Sequence, residues 1–372
     1  MRFLFYTHSL ISDWNNGNAH FLRGVMRELQ KRGHVCCALE PADSWSRLNL
    51  VREQGEGAIA KFQSQFPMLR AEVFGAAFDH ERALDGADVV VVHEWTDPAL
   101  IARIGRARRN GGRFKLLFHD THHRAVTRKC EIASLPLADY DAVLAFGEAI
   151  RERYADAGWA GQVFTWHEAA DVELFKPQNS VTRDADLVWI GNWGDEERSR
   201  ELHEYLIEPA RALGLRGDVF GVRYPGGAID AIKAAGLSYR GWIANADAAA
   251  RYGRYRVTLH VPRRPYVEAL PGIPTIRVFE ALASGIPLIC APWEDCESLF
   301  RPGTDFLMAR SGDEMKRLLF DVLWEPRLAM DLARSGLETI HAQHTCAHRA
   351  IELENILARL RSASSKQTEA AQ

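Results

Sequence analysis

Short, nearly continuous apolar runs punctuate the first half of the chain at residues 3–7, 35–39, 89–93, 115–119 and 142–146. Runs without alternation suit strands covered on both faces, as in a parallel sheet. Amphipathic helical patterns fill the intervals, at Ala19–Lys31 before Gly33, at residues 98–110 before Gly111 and Gly112, and at residues 148–157 before Gly158. Glycine just past a helix is a common stop, because it takes the left-handed conformation without a Cβ penalty. The strand–helix–strand rhythm predicts a Rossmann-like domain over residues 1–166.

A polar stretch at residues 178–186 breaks the pattern, and the same rhythm then restarts. Strands are expected at residues 187–191, 218–221, 257–261, 288–291 and 306–308. Helices are expected at residues 198–213, 228–235, 246–255, 312–323 and 327–341. These predict a second Rossmann-like domain over residues 181–343, reached through a hinge at residues 167–180. A last helix at residues 344–361 follows the second sheet, and the small polar residues 362–372 read as a flexible tail.

Composition agrees with two soluble α/β domains: 372 residues, 47% hydrophobic and 26% charged. A net charge of −3 gives no general attraction to nucleic acid or anionic lipid. Arg103, Arg106, Arg108 and Arg109 offer only a local basic patch to a membrane surface. No run approaches the roughly 20 apolar residues of a membrane-spanning helix. The N-terminal run is too short for a signal peptide and has no small-residue cleavage site. The six cysteines show no metal-ligand spacing, which fits reduced thiols in a cytoplasmic protein.

Chemistry concentrates in the segment from Pro271 to Cys290. A Gly/Pro-rich loop runs into a short helix begun by Thr275, a good N-cap residue, and stopped by Gly285. Free amides and the positive dipole end at such a helix start suit a phosphate. Ile276 and Arg277 lie in the first turn, where the arginine adds a bidentate fork. Glu280, about one turn on, can accept from two adjacent sugar hydroxyls.

The run Arg277-Val278-Phe279-Glu280-Ala281-Leu282-Ala283-Ser284-Gly285 resembles the nucleotide-binding helix of GT-B glycosyltransferases of the "glycosyl transferases group 1" type. It looks closest to the branch related to the spore-maturation protein CgeB. The resemblance implies two Rossmann-like domains with parallel sheets facing a central cleft, and a C-terminal helix crossing back to the first domain. It also implies that Glu280 holds the ribose of a sugar nucleotide. The family's usual second glutamate, eight positions earlier, is Gly272 here, and the nearest acid is Glu268.

Further positions follow from the same resemblance. Gly17 and Asn18, at the end of the first βα loop, would approach donor phosphate and acceptor. His119 and Asp120, at a strand's carboxyl end, are the candidate catalytic or acceptor-contacting pair, because an imidazole there can donate to a hydroxyl or take a proton. His93 and Glu94 share that location. Residues 166–177 resemble the interdomain hinge, with Asp171 structural. Asn192 and Arg198 stand where relatives carry an arginine and a lysine on the diphosphate. For Arg198 the plain alternative is a surface arginine paired with Glu201 or Glu204. Arg223, Tyr224 and Trp242 would surround the nucleobase, Trp242 being as well suited to the core. Arg263 faces either the donor or solvent.

The implied activity is a metal-independent, retaining, front-face transfer of a sugar from a nucleotide-diphosphate sugar, with no cofactor and no metal ligands. The acceptor is left open among glycan, lipid, protein and small molecule. Alternatives are a sugar-nucleotide epimerase on the same fold, or a catalytically inactive nucleotide-binding scaffold.

Overall fold

The computed structural model describes residues 1–178 and 183–370. Parts of the expected hinge, second domain and tail (residues 179–182 and 371–372) lie outside the described residues. The chain divides into two compact units, Met1–His167 with Cys346–Gln372, and Glu168–Thr345.

The first unit is built on seven strands: β1 (Arg2–Tyr6), β2 (Val35–Pro41), β3 (Arg70–Phe74), β4 (Val89–His93), β5 (Lys115–Asp120), β6 (Ala142–Ala145) and β7 (Val163–Thr165). All pairings are parallel, in the order β3-β2-β1-β4-β5-β6-β7. β4 is buried at all five positions, as its Val-Val-Val-Val-His sequence demands of a strand covered on both faces. β3 and β7 are not foreseen from the apolar pattern. Both are edge strands with no fully buried residue, so they carry no continuous apolar run.

The second unit has six strands: β8 (Ala185–Ile190), β9 (Gly217–Phe220), β10 (Leu237–Gly241), β11 (Tyr255–His260), β12 (Leu288–Cys290) and β13 (Leu307–Met308). They pair in parallel, in the order β10-β9-β8-β11-β12-β13. The helix expected at residues 198–213 forms as Ser199–Leu202 and Glu208–Leu213, joined by a wide π turn at His203–Ile207. Pro209 explains the break, since it has no N–H to give to the carbonyl one turn back.

The order of strands reverses direction between β1 and β4 in the first sheet, and between β8 and β11 in the second. At such switch points the loops leaving neighbouring strands diverge, opening a crevice at the carboxyl ends. The C-terminal helix, Cys346–Ala370, belongs to the first unit, where it packs on Ala19–Lys31. Trp166 Nε1 donates to the Arg349 carbonyl at 2.9 Å, and Glu354 takes Arg32 and His34. The helix continues through most of the segment expected to be a tail, which contains no glycine or proline to stop it. Among the described residues, no helix is long and apolar enough to cross a membrane.

Candidate functional site

The second unit's switch point collects most of the expected donor residues. β8 leads into Gly191 and Asn192, and β9 into Gly221. Gly221 holds φ +149, and a Cβ there would sit 2.1 Å from the Gly191 carbonyl oxygen, so these loop starts close together only without side chains. Asn192 braces the crossing by accepting from the Val222 amide through Oδ1 at 3.0 Å.

Arg198 is not a surface residue. It is 9% exposed, and its guanidinium donates to the carbonyls of Val261 at 2.8 Å and Asn192 at 2.5 Å. It also lies over the Trp189 ring at 5.2 Å. Glu201 and Glu204, its expected surface partners, are engaged instead with Arg264 and the Gly312 amide. Among the described residues no carboxylate pairs with Arg198, and its Nε–H is buried without a partner. Burial, and then the nearby positive charges of Arg263 and Arg277, push this guanidinium down to about 9. A buried cation left uncompensated is costly, and a bound anion is the usual remedy.

The helix after the donor loop spans Ile276–Ala283, with Thr275 at its N-cap position. The threonine does not cap it. Its hydroxyl shares a hydrogen bond with His260 Nε2 at 3.0 Å, and no side chain caps the first turn. His260, at the end of β11, is held neutral by burial and then by Arg198, down to about 3. The threonine side chain thus leaves the helix start to another acceptor. Gly272 explains the departure from the two-glutamate pattern: it holds φ +88, and a Cβ would press on Glu297 and Cys296 at 3.2 and 3.3 Å. A glutamate there would be strained in its backbone as well as crowded.

Glu280 is fully buried. Its carboxylate pairs with Arg277 on its own helix and accepts from the Tyr252 hydroxyl at 3.5 Å. Arg277 therefore lies along the helix against Glu280, with its side chain 25% exposed. Ile276 is buried beside it.

The expected nucleobase and flanking positions behave differently from one another. Tyr224 is committed to structure: its hydroxyl donates to the Gly191 carbonyl at 2.7 Å, accepts from Trp189 Nε1 at 2.8 Å, and its ring packs on Trp193 and Tyr239. Arg223, at φ +64, is exposed and paired with Asp195 at 3.0 Å. Trp242 is half-buried and its Nε1 has no partner among the described residues. Arg263 is paired with Glu197 at 2.8 Å. Sequence reasoning missed Tyr252, His260 and Glu197. Of these only His260 left a signal, a single titratable residue ending an apolar strand.

The first unit's switch point has the same topology and another chemistry. Gly17 and Asn18 precede helix Ala19–Lys31, and Asn18 makes no side-chain cap. Glu40, at the end of β2, stands where dinucleotide-binding folds hold a ribose. Here it is buried, its Oε2 accepting from the amides of Leu10 and Ile11 at 2.6 and 3.0 Å while its Oε1 has no partner among the described residues. With no G-x-G-x-x-G present either, this unit is not built for a dinucleotide.

His119 and Asp120 do not form a facing pair. They are consecutive on β5, so their side chains leave opposite faces of the sheet. Asp120 is buried, accepting from Tyr154 OH at 2.7 Å and the His122 amide at 3.0 Å. Burial raises it above the usual carboxylate range, and burial together with the charge of Asp120 raises Glu94 well above that range. Glu94 in turn holds Thr121 and Arg124. His119 is 4% exposed, packed against Trp166, His93 and Phe21, and its Nε2 has no partner among the described residues. Burial holds it neutral, down to about 3. His8, missed from the sequence, joins the row at 5.1 Å from His93. Among the described residues no three His, Cys, Asp or Glu side chains converge as a metal site.

Comparison with known proteins agrees with this division. Residues 198–355 match a family described as "Glycosyl transferase-like". No curated protein sequence matches the chain. Among solved structures, a sucrose-phosphate synthase from Thermosynechococcus elongatus aligns with TM-score 0.66 at 13% identity, over 98% of this chain and all of the other. HepE from Anabaena, solved with UDP and glucose, aligns with TM-score 0.67 at 14% identity, over 96% of this chain and all of HepE. An α-glucosyltransferase solved with UDP and an HMU-containing DNA aligns with TM-score 0.68 at 11% identity, over 96% of this chain and 99% of the other. Residues 198–355 are thus similar to glycosyl transferase-like domains, and the chain shares the GT-B fold, two Rossmann-like domains, with these solved structures.

Proposed function

We propose that this chain transfers a sugar from a nucleotide-diphosphate sugar, binding the donor on the unit Glu168–Thr345. The observation that carries the reading is Arg198, a buried cation with no carboxylate partner among the described residues, on the same switch point as an uncapped helix start. In this reading the diphosphate takes Arg198, Arg277 and the amides of Ile276 and Arg277. Glu280 takes the ribose diol, and Trp242 offers its ring and Nε1 to the base. The matched family and the UDP-bound relatives of the same fold support that choice of ligand.

As the glycosidic bond breaks, negative charge grows on the leaving diphosphate. Guanidinium and amide donors already on the bound diphosphate stabilise that charge as it grows, each charge-assisted hydrogen bond contributing about 1.5–3 kcal/mol. That makes a metal dispensable in principle. Among the described residues none is assigned as a nucleophile, which is consistent with a retaining, front-face transfer, as the resemblance to the group 1 glycosyltransferases also implies. His119, neutral and with an unpartnered ring nitrogen, is the first unit's candidate contact to an acceptor hydroxyl; Asp120 acts on the loop after β5 rather than on the acceptor. Among the described residues no disulfide forms, which fits a reducing, cytoplasmic setting.

The test is incubation with a panel of UDP-, GDP-, ADP- and TDP-sugars, without acceptor, followed by assay of released nucleoside diphosphate. Slow release from one nucleotide class is expected, and its loss in Arg198→Met. Equal release by that variant, or none from any donor together with no thermal shift by any nucleoside diphosphate, would refute the reading.

A further inference from the structure

Glu280 presents a contradiction for a ribose-binding residue: it is fully buried, and what covers it is a side chain of its own helix. Arg277 pairs with the Glu280 carboxylate, three residues on, and Tyr252, itself 2% exposed, donates to that carboxylate from the adjoining helix Asn245–Tyr252. A ribose diol cannot take both carboxylate oxygens while the guanidinium and the Tyr252 hydroxyl hold Oε2. Releasing Arg277 without compensation would strand two charges that now satisfy each other, one of them wholly out of water.

We propose that Arg277 is an exchangeable cover on Glu280, displaced only by a ligand that brings its own anion, so that nucleoside and diphosphate are recognised as one unit. The inference rests on the donor-site reading above and adds a selection rule to it. A nucleoside diphosphate gives the departing guanidinium a new partner at the uncapped helix start, one turn away. A free nucleoside offers nothing in return. Geometry permits the move, because Arg277 keeps a quarter of its side chain in solvent while Glu280 and Tyr252 are fixed in the interior. Electrostatics favours it as well. Arg198 already feels Arg263 and Arg277 as unfavourable neighbours, and a diphosphate among them relieves that repulsion. The pair thereby discriminates against nucleosides without any clash with the base or sugar.

Calorimetry with UDP and uridine on the full chain and on Arg277→Ala tests this. Wild type should bind UDP at least 100-fold more tightly than uridine. In Arg277→Ala, uridine affinity should rise about tenfold while UDP affinity falls about 10- to 100-fold, the size of a lost charge-assisted contact. The opposite signs are the signature. If UDP weakens and uridine is unchanged or weaker too, the exchange is wrong and the donor site stands. If wild type binds neither UDP nor other nucleoside diphosphates, the donor-site reading fails and takes the exchange with it. Should Arg277→Ala not fold, a crystal structure of the wild type with UDP decides. Arg277 on the phosphates and Glu280 on the ribose supports the exchange, and Arg277 still on Glu280 overturns it.

Discussion

Two parallel sheets in this protein reverse their strand order in the same way, yet their switch points carry opposite chemistry. In the second unit the crevice holds Arg198, a buried cation that donates to two carbonyls, and a helix whose N-cap threonine has turned to His260. In the first, the buried charge is an acid, Glu40, whose Oε2 takes the amides of Leu10 and Ile11, and the remaining row is of imidazoles held neutral by burial. Topology thus supplies a crevice twice. Which crevice suits a phosphate is decided by where positive charge is left uncompensated.

The contrast is open to attack at its strongest point. Arg198→Met should cost roughly 10- to 100-fold in UDP affinity, as the loss of one or two charge-assisted contacts would, while Glu40→Gln should leave UDP affinity unchanged and lower only thermal stability. Calorimetry and melting curves on both variants check this. If Glu40→Gln weakened UDP as much as Arg198→Met did, the two switch points would not be chemically distinct.

A smaller effect sharpens the first unit's side. His119 has its pKa lowered by burial to about 3, so the unfolded chain takes up a proton there as pH falls below 6.5 and the folded chain does not. Stability from this group is present above pH 6.5 and lost toward pH 4.5, by roughly 2–3 kcal/mol. His119→Phe removes the titration while keeping a ring against Phe21 and Trp166. Urea unfolding at pH 7 and pH 4.5 should show the variant losing less stability than wild type by about that amount. Asp120 and Glu94, which titrate in the opposite sense, are common to both proteins and cancel in the difference.

The sequence was most legible where burial was complete. Every central strand announced itself as an apolar run, whereas β3 and β7, half-exposed edges of the first sheet, did not. The donor segment was legible because a Gly/Pro loop, a helix start and an acid one turn on have a local meaning. What escaped depended on the third dimension. Arg198 lies among helix-surface neighbours in the sequence but is folded under the loop of Gly194, which passes within 3.0 Å of it if given a Cβ. Thr275 carried the right atom for a cap, and a histidine from a neighbouring strand claimed it. His119 and Asp120 are adjacent in sequence, but strand alternation sends them to opposite faces of the sheet.

Hydrogen exchange of the whole chain with and without UDP tests the central claim most directly, because the first-turn amides of helix Ile276–Ala283 are the proposed phosphate donors. The account predicts slowed exchange at residues 275–278 and across the loop at residues 191–198 when UDP is added. Protection confined to the loop after β1, at residues 8–18, with the second unit unchanged, would contradict it.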